Sequence, residues 1–131
     1  MAAFTVALLE HEYASVAIER QIVEQAGGRL LDTDLLPAAE RISALEDADA
    51  IIVRWPKVTP EMVRRLRRCR IIVRYGVGYD NVDYDAATTA GIMIGHCQHY
   101  CLDEVATHAF ALLLGCVRGI TGTQTMMSAG S

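Results

Sequence analysis

Short apolar runs alternate with stretches of helical periodicity along this chain, and that alternation limits the fold more than any other feature. Phe4-Thr5-Val6-Ala7-Leu8-Leu9 is β-rich and is halted by Glu10. Ala50-Ile51-Ile52-Val53, Ile71-Ile72-Val73 and Ile92-Met93-Ile94 repeat the pattern, and Arg29-Leu30-Leu31 is a weaker version. Continuous apolar runs of this length read as strands buried on both faces, as parallel sheets require. Between them, Ile18, Ile22, Val23 and Ala26 recur at helical spacing, with Glu19, Arg20, Glu24 and Gln25 on the other face. Gly27-Gly28 closes that helix. A loop around Pro37 leads to a short helical stretch ending at Leu45. Thr59-Pro60-Glu61 is a helix start, with a hydroxyl cap, a proline where no N–H is needed, and an acid at the positive end of the dipole. A further short helix, Tyr84 to Ala90, is closed by Gly91. Strand and helix in alternation imply right-handed βαβ units. The expectation is an α/β, flavodoxin-like parallel sheet of about five strands flanked by helices.

The boundaries follow from the same pattern. Residues 1–101 read as the sheet domain, and 102–118 as a long apolar helix. Residues 119–131, rich in Gly, Ser and Thr, read as a loose tail. A chain of 131 residues with 52% hydrophobic and 21% charged side chains can bury a core without disulfides. Its formal net charge of -4 argues against a general nucleic-acid binder. Arg64, Arg65, Arg67 and Arg68 sit toward the end of the helix that starts at Pro60, where cations suit the dipole and Met62, Val63 and Leu66 take the buried face. The four cysteines read as reduced thiols. The N-terminus lacks the pattern of a signal peptide, and Ala109 to Gly115, the longest apolar stretch, is too short for a membrane span. The expected setting is cytoplasmic, with no membrane.

Arg74-Tyr75-Gly76-Val77-Gly78-Tyr79-Asp80-Asn81 carries the chemistry. It has two glycines of a dinucleotide fingerprint, but Asn81 stands where the third belongs, so a pyrophosphate cradle is not expected. What remains is a strand end whose glycines let successive N–H groups face one anion-sized hollow. A plain strand-to-helix turn is the alternative.

The same segment, continued through Val82-Asp83, Ala86-Ala87 and Gly91-Ile92, resembles the substrate domain of the D-isomer-specific 2-hydroxyacid dehydrogenases. Tyr100-Cys101-Leu102-Asp103-Glu104-Val105-Ala106-Thr107-His108-Ala109, then Leu112-Leu113-Leu114 and Arg118, resembles that family's passage into its crossover helix. The resemblance implies that the amides of Val77 and Gly78 hold a substrate carboxylate, with Arg74 beside them. It also implies that Tyr100 faces the substrate and Val105 packs near a nicotinamide. The partner is then a small 2-oxo or 2-hydroxy carboxylate, and the cofactor of the complete enzyme is NAD or NADP. The family's catalytic Arg, Glu and His belong to a nucleotide domain. None is therefore assigned within these 131 residues, no cofactor is expected to bind them tightly, and the chain reads as truncated before that domain. Where the family commonly has Asn-Val-Pro, this chain has His96-Cys97-Gln98.

Two other readings compete. A non-catalytic remnant or anion-binding module would keep the fold and the glycine hollow. A receiver-type domain would need clustered acids at a strand end, which the sequence pattern does not display. His96, Cys97, His99, Cys101 and His108 are metal-ligating types, but no second pair lies at finger-like spacing, so packing roles are expected and no metal. The 102–118 helix is apolar on most sides, and an uncovered remainder would drive homo-oligomerisation through it.

Overall fold

The computed structural model describes residues 2–130. Five strands form one sheet: β1 (Thr5–Leu9), β2 (Arg29–Asp32), β3 (Ala50–Val53), β4 (Ile71–Arg74) and β5 (Met93–His96). All neighbours are parallel, in the order β2-β1-β3-β4-β5. The expected flavodoxin-like α/β sheet is therefore present. Its strand order reverses between β1 and β3, and crevices outside the carboxyl ends at such a reversal are where open sheets take ligands.

Alternation along β1 divides the core. Ala7 and Leu9 join Ile51, Val53 and Ile72 on one face, under Leu45 of helix α2 (Ala38–Leu45), Val63 of α3 (Pro60–Arg65) and Ala87 of α4 (Tyr84–Thr89). Val6 and Leu8 point the other way, to Val16, Leu30 and Val23 of helix α1 (Ala17–Gln25). Helix starts are capped as the sequence indicates. The Thr59 hydroxyl accepts the N–H of Met62, and Asp83 accepts that of Ala86.

Two local expectations change. Ile18 and Ile22 do not form the buried stripe of α1; they are exposed, and Val23 alone of that helix is buried. Helix α3 ends at Arg65, so Arg67 and Arg68 lie beyond it and owe nothing to its dipole. Instead Arg65 and Arg67 share the Glu46 carboxylate, at 2.5 and 2.8 Å, and Arg68 meets Asp49 at 2.8 Å. The Arg65 hydrogen bond holds the Glu46 carboxyl below its usual range, and the Thr5 N–H does the same for Asp49. The arginine run thus ties loops together at the amino edge of the sheet.

The chain divides into two compact units, one ending at Gln98 and the second beginning at His99. The second unit consists of α5 (Leu102–Val117) and α6 (Ile120–Ser128). The stretch expected as a loose tail is largely helix: Gly119 takes φ +62, starts α6, and so hides helical residues behind a Gly/Ser/Thr-rich composition. No single helix among the described residues is long and apolar enough to cross a membrane, although the bent pair α5 and α6 passes that test by length and composition together.

Candidate functional site at the carboxyl edge of the sheet

The chain leaves β4 at Arg74 and turns through Tyr75, Gly76, Val77 and Gly78. Gly76 is buried with φ +151, a conformation L side chains rarely adopt. A Cβ there would also overlap the Arg74 guanidinium, so glycine is required twice over. The Gly76 carbonyl accepts the Cys97 N–H at 3.0 Å, and the Val77 carbonyl contacts His96 Nδ1 at 2.6 Å. These bonds pin the carbonyls toward the end of β5. Among the described residues, the N–H groups of Val77 and Gly78 have no protein acceptor. Arg74 Nε is buried without a hydrogen-bond partner. The Asp80 carboxylate lies close to Gly78 and bounds the cationic region on that side.

A second group gathers where the strand order reverses. Arg54 follows β3, and its guanidinium lies 4.6 Å from the Tyr13 ring and 4.8 Å from that of Trp55. Arg74 approaches the same Trp55 ring at 5.9 Å. Neither arginine has a carboxylate partner among the described residues, a property they share with Arg20, Arg29, Arg70 and Arg118, whereas Arg41, Arg64, Arg65, Arg67 and Arg68 are paired. The carboxyl edge therefore carries two guanidiniums that meet at the Trp55 ring, one of them on the same loop as two unused amides, donors of a kind suited to an anion.

Asn81 explains the missing third glycine. Its side-chain amide donates to the carbonyls of Pro56 (3.0 Å) and Arg54 (3.4 Å), while the main-chain carbonyl of Asn81 accepts the Val58 N–H at 2.8 Å. The position fastens the Arg54–Pro56 loop to the glycine loop, so this segment does not fit a pyrophosphate cradle. Asn81→Ala should cost about 1–2 kcal/mol of stability through the lost hydrogen bonds. Chemical denaturation should show it, and Arg54 and Trp55 signals should broaden in the same variant.

The structure brings Arg74, Val77 and Gly78 together on one loop, with Val77 and Gly78 exposed. Tyr100 and Val105 belong to the second unit, where both side chains are exposed. His96, Cys97, His99, Cys101 and His108 do not gather as a ligand group; among the described residues the only His/Cys/carboxylate cluster is His11, Asp32 and Asp34. That cluster, with Arg54 and Trp55, escaped the sequence reading. The available signal was position: each stands at or just after the end of a strand.

Burial and a hydrogen bond to Glu19 at 3.1 Å push the Tyr75 hydroxyl well above its usual range, so it remains protonated and ties the glycine loop to α1. It serves as an anchor, not an acid.

An open doubly wound domain with a cationic carboxyl edge is the class these features define. The chain belongs to the family described as "D-isomer specific 2-hydroxyacid dehydrogenase, catalytic domain", which matches residues 6–129. It is 30% identical over 96 residues to a glyoxylate reductase of Pyrococcus furiosus, covering 72% of this chain and 29% of that protein. It is 39% identical over 80 residues to a D-3-phosphoglycerate dehydrogenase of Mycobacterium tuberculosis, covering 60% of this chain and 15% of the relative. Among solved structures, an acyclic imino acid reductase in complex with NADPH and D-Arg superposes with TM-score 0.79 at 25% identity, over 97% of this chain and 41% of that one. The cofactor(NAD+)-bound 3-phosphoglycerate dehydrogenase of Entamoeba histolytica gives TM-score 0.62 at 30% identity, over 72% of this chain and 33% of its own. The chain thus spans less than a third of the curated relatives it matches.

Proposed function

We propose that this chain holds the substrate of an NAD- or NADP-dependent oxidoreductase acting on small D-2-hydroxy acids or their 2-oxo forms. One observation carries the reading: unused amides at Val77 and Gly78 follow Arg74 on one loop, and Arg74 shares the Trp55 ring with Arg54, neither arginine having a carboxylate partner among the described residues, at the carboxyl edge of a sheet of this family. In this reading Val77 and Gly78 donate to the substrate carboxylate, and Arg74 supplies the adjacent positive charge. Arg54 extends that charge across the Trp55 ring. Donors fixed on an exposed loop orient the acid so that its C2 faces one direction, which is the contribution a substrate domain makes to a bimolecular hydride transfer. When bound, the family's nicotinamide would give a hydride to C2 of a 2-oxo acid or take one from C2 of a 2-hydroxy acid. Asn81 ties this loop to Arg54 and Pro56, so the loop itself is not where that cofactor's phosphates would bind. The family resemblance assigns Tyr100 to the substrate and Val105 to the nicotinamide; both belong to the second unit. No proton-transfer residue is assigned in this chain.

The test is an amide-resolved NMR titration of the 131-residue chain with glyoxylate and with pyruvate. Each charge-assisted hydrogen bond contributes about 1.5–3 kcal/mol before ordering costs, which consume most of it. A dissociation constant of about 1 mM or weaker is expected, with the largest shifts at Val77 and Gly78. Shifts confined to other loops, with residues 76–80 unmoved, would overturn the assignment.

A further inference from the structure

His11 is the most heavily restrained residue at the carboxyl edge, and nothing in the reading so far uses it. It follows β1, the strand on one side of the order reversal, while Arg54 follows β3 on the other. His11 is 5% exposed, and its neighbours Glu10 and Glu12 take φ +45 and +57. Two non-glycine residues in the left-handed region around one buried side chain mark a backbone held against its own preference.

The bonds that hold it are on every side. The ring Nδ1 accepts the Tyr13 N–H at 2.9 Å, so Nδ1 presents its lone pair and the ring proton sits on Nε2. Nε2 then donates toward Asp32 Oδ1 at 3.2 Å, with Asp34 Oδ2 at 3.4 Å. The His11 N–H donates to Asp34 Oδ2 at 3.1 Å, and Asp34 N–H donates to Asp32 Oδ1 at 3.0 Å. With these groups fixed, one polar group remains, the main-chain carbonyl, and it accepts Arg54 Nη1 at 2.9 Å. A metal at Nε2 would need the lone pair that this tautomer places on Nδ1, so the cluster works as a hydrogen-bond frame.

We propose that His11 is a positioning residue for the substrate anion: its ring, clamped by Asp32 and Asp34, fixes the carbonyl that aims Arg54 across the sheet's order reversal. Among the described residues, Arg54 is otherwise held only by the faces of Tyr13 and Trp55, contacts that set its plane but leave it free to slide. The carbonyl bond removes that freedom and leaves the other guanidinium N–H groups for the ligand. The inference rests on the substrate-site reading for the ligand itself, but the aiming of Arg54 is measurable without one.

The experiment follows the Arg54 side-chain Nε–H by NMR and titrates glyoxylate into the wild type, His11→Phe, Arg54→Met and the double variant. Phenylalanine keeps the ring volume and removes both ring nitrogens. In His11→Phe the distinct Arg54 Nε–H signal should collapse toward the position of a solvated arginine, and glyoxylate should bind about three- to tenfold more weakly. Arg54→Met should weaken binding similarly, and adding His11→Phe to it should cost nothing further. His11→Gln, which restores a donor toward Asp32 and Asp34, should recover most of the Arg54 signal. If His11→Phe does not fold, Asp34→Ala, which removes the acceptor of the His11 N–H, carries the same expectation. An unchanged Arg54 signal, or losses that add in the double variant, would overturn the inference. A wild-type chain that ignores glyoxylate would instead overturn the substrate reading, while the Arg54 signal still decides the role of His11.

Discussion

Gly76→Val should remove the carboxylate response of the glycine loop altogether and destabilise the domain by about 1–3 kcal/mol. Two effects combine. A β-branched residue at φ +151 is forced into backbone space that L side chains avoid, at about 1–3 kcal/mol. Its Cβ also claims the volume of the Arg74 guanidinium, the far end of a flexible side chain that moves aside at little cost in stability. The second effect is the functional one. Arg74 has its Nε buried and its plane near Trp55, so the only way to admit a side chain at position 76 is to swing the guanidinium out of the site. Urea denaturation should report the stability loss, and the NMR titration should show Val77 and Gly78 no longer moving with glyoxylate. Gly78→Ala makes the contrast. Gly78 has no left-handed φ, and an added Cβ there meets only Asp80 Oδ1 at 3.0 Å, a side-chain atom able to give way. That variant should fold nearly normally and weaken binding modestly. Equal losses at both positions would mean that Arg74 is not what Gly76 makes room for.

The strands were legible because burial in a parallel sheet is written locally, as runs such as Ile51-Ile52-Val53 with no polar interruption. Their order was legible only as a class, through the short connections that force right-handed crossovers. The failures have physical causes. Ile18 and Ile22 satisfy helical spacing but face away from the sheet, because α1 docks through Val23 with Val16 just before it, and periodicity cannot say which stripe meets a neighbour. Helix α6 was missed because Thr and Gly lower local propensity, while the cooperative hydrogen bonds of a helix begun at Gly119 do not depend on composition alone.

The site divides in the same way. Arg74, Val77 and Gly78 were readable since a single loop holds them, and the glycine spacing announces unusual backbone. The frame of His11, Asp32, Asp34 and Arg54 was not, since its members come from the ends of three strands. They meet only because β1 lies between β2 and β3. Nothing in the residues around Arg54 indicates that a carbonyl from position 11 will reach it. Asn81 lies between these cases. Its departure from glycine was visible, but its role as a tie to Arg54 and Pro56 needed the parallel contact of Val58 with Val82 to bring the loops together.

The 131-residue chain on its own should self-associate through α5, and Phe110→Ser with Leu114→Ser should return it to a monomer. Phe110, Leu112, Leu113 and Leu114 are 65%, 59%, 55% and 56% exposed, and Val105 and Val117 add to the same apolar surface. No residue of α5 is buried. A helix apolar around most of its circumference cannot be satisfied by one contact, yet pairing along one face would cover three or four large side chains. At about 1.5–3 kcal/mol for each side chain fully covered, and part of each already shielded, that face offers roughly 5–8 kcal/mol. Association costs of 4 kcal/mol and upward offset much of this, so the expected dimer is weak and concentration-dependent rather than permanent. Sedimentation velocity over a wide concentration range should show the shift toward dimer or larger species in the wild type. The double serine variant should lose most of it while keeping its helical circular dichroism, because these side chains contribute little to the chain's own core. In a longer protein of this family the same surface would be available to a second domain, and adding that domain in trans should compete with self-association. A wild-type chain that stays monomeric at high concentration, with α5 helical, would show that its apolar surface is covered in some other way.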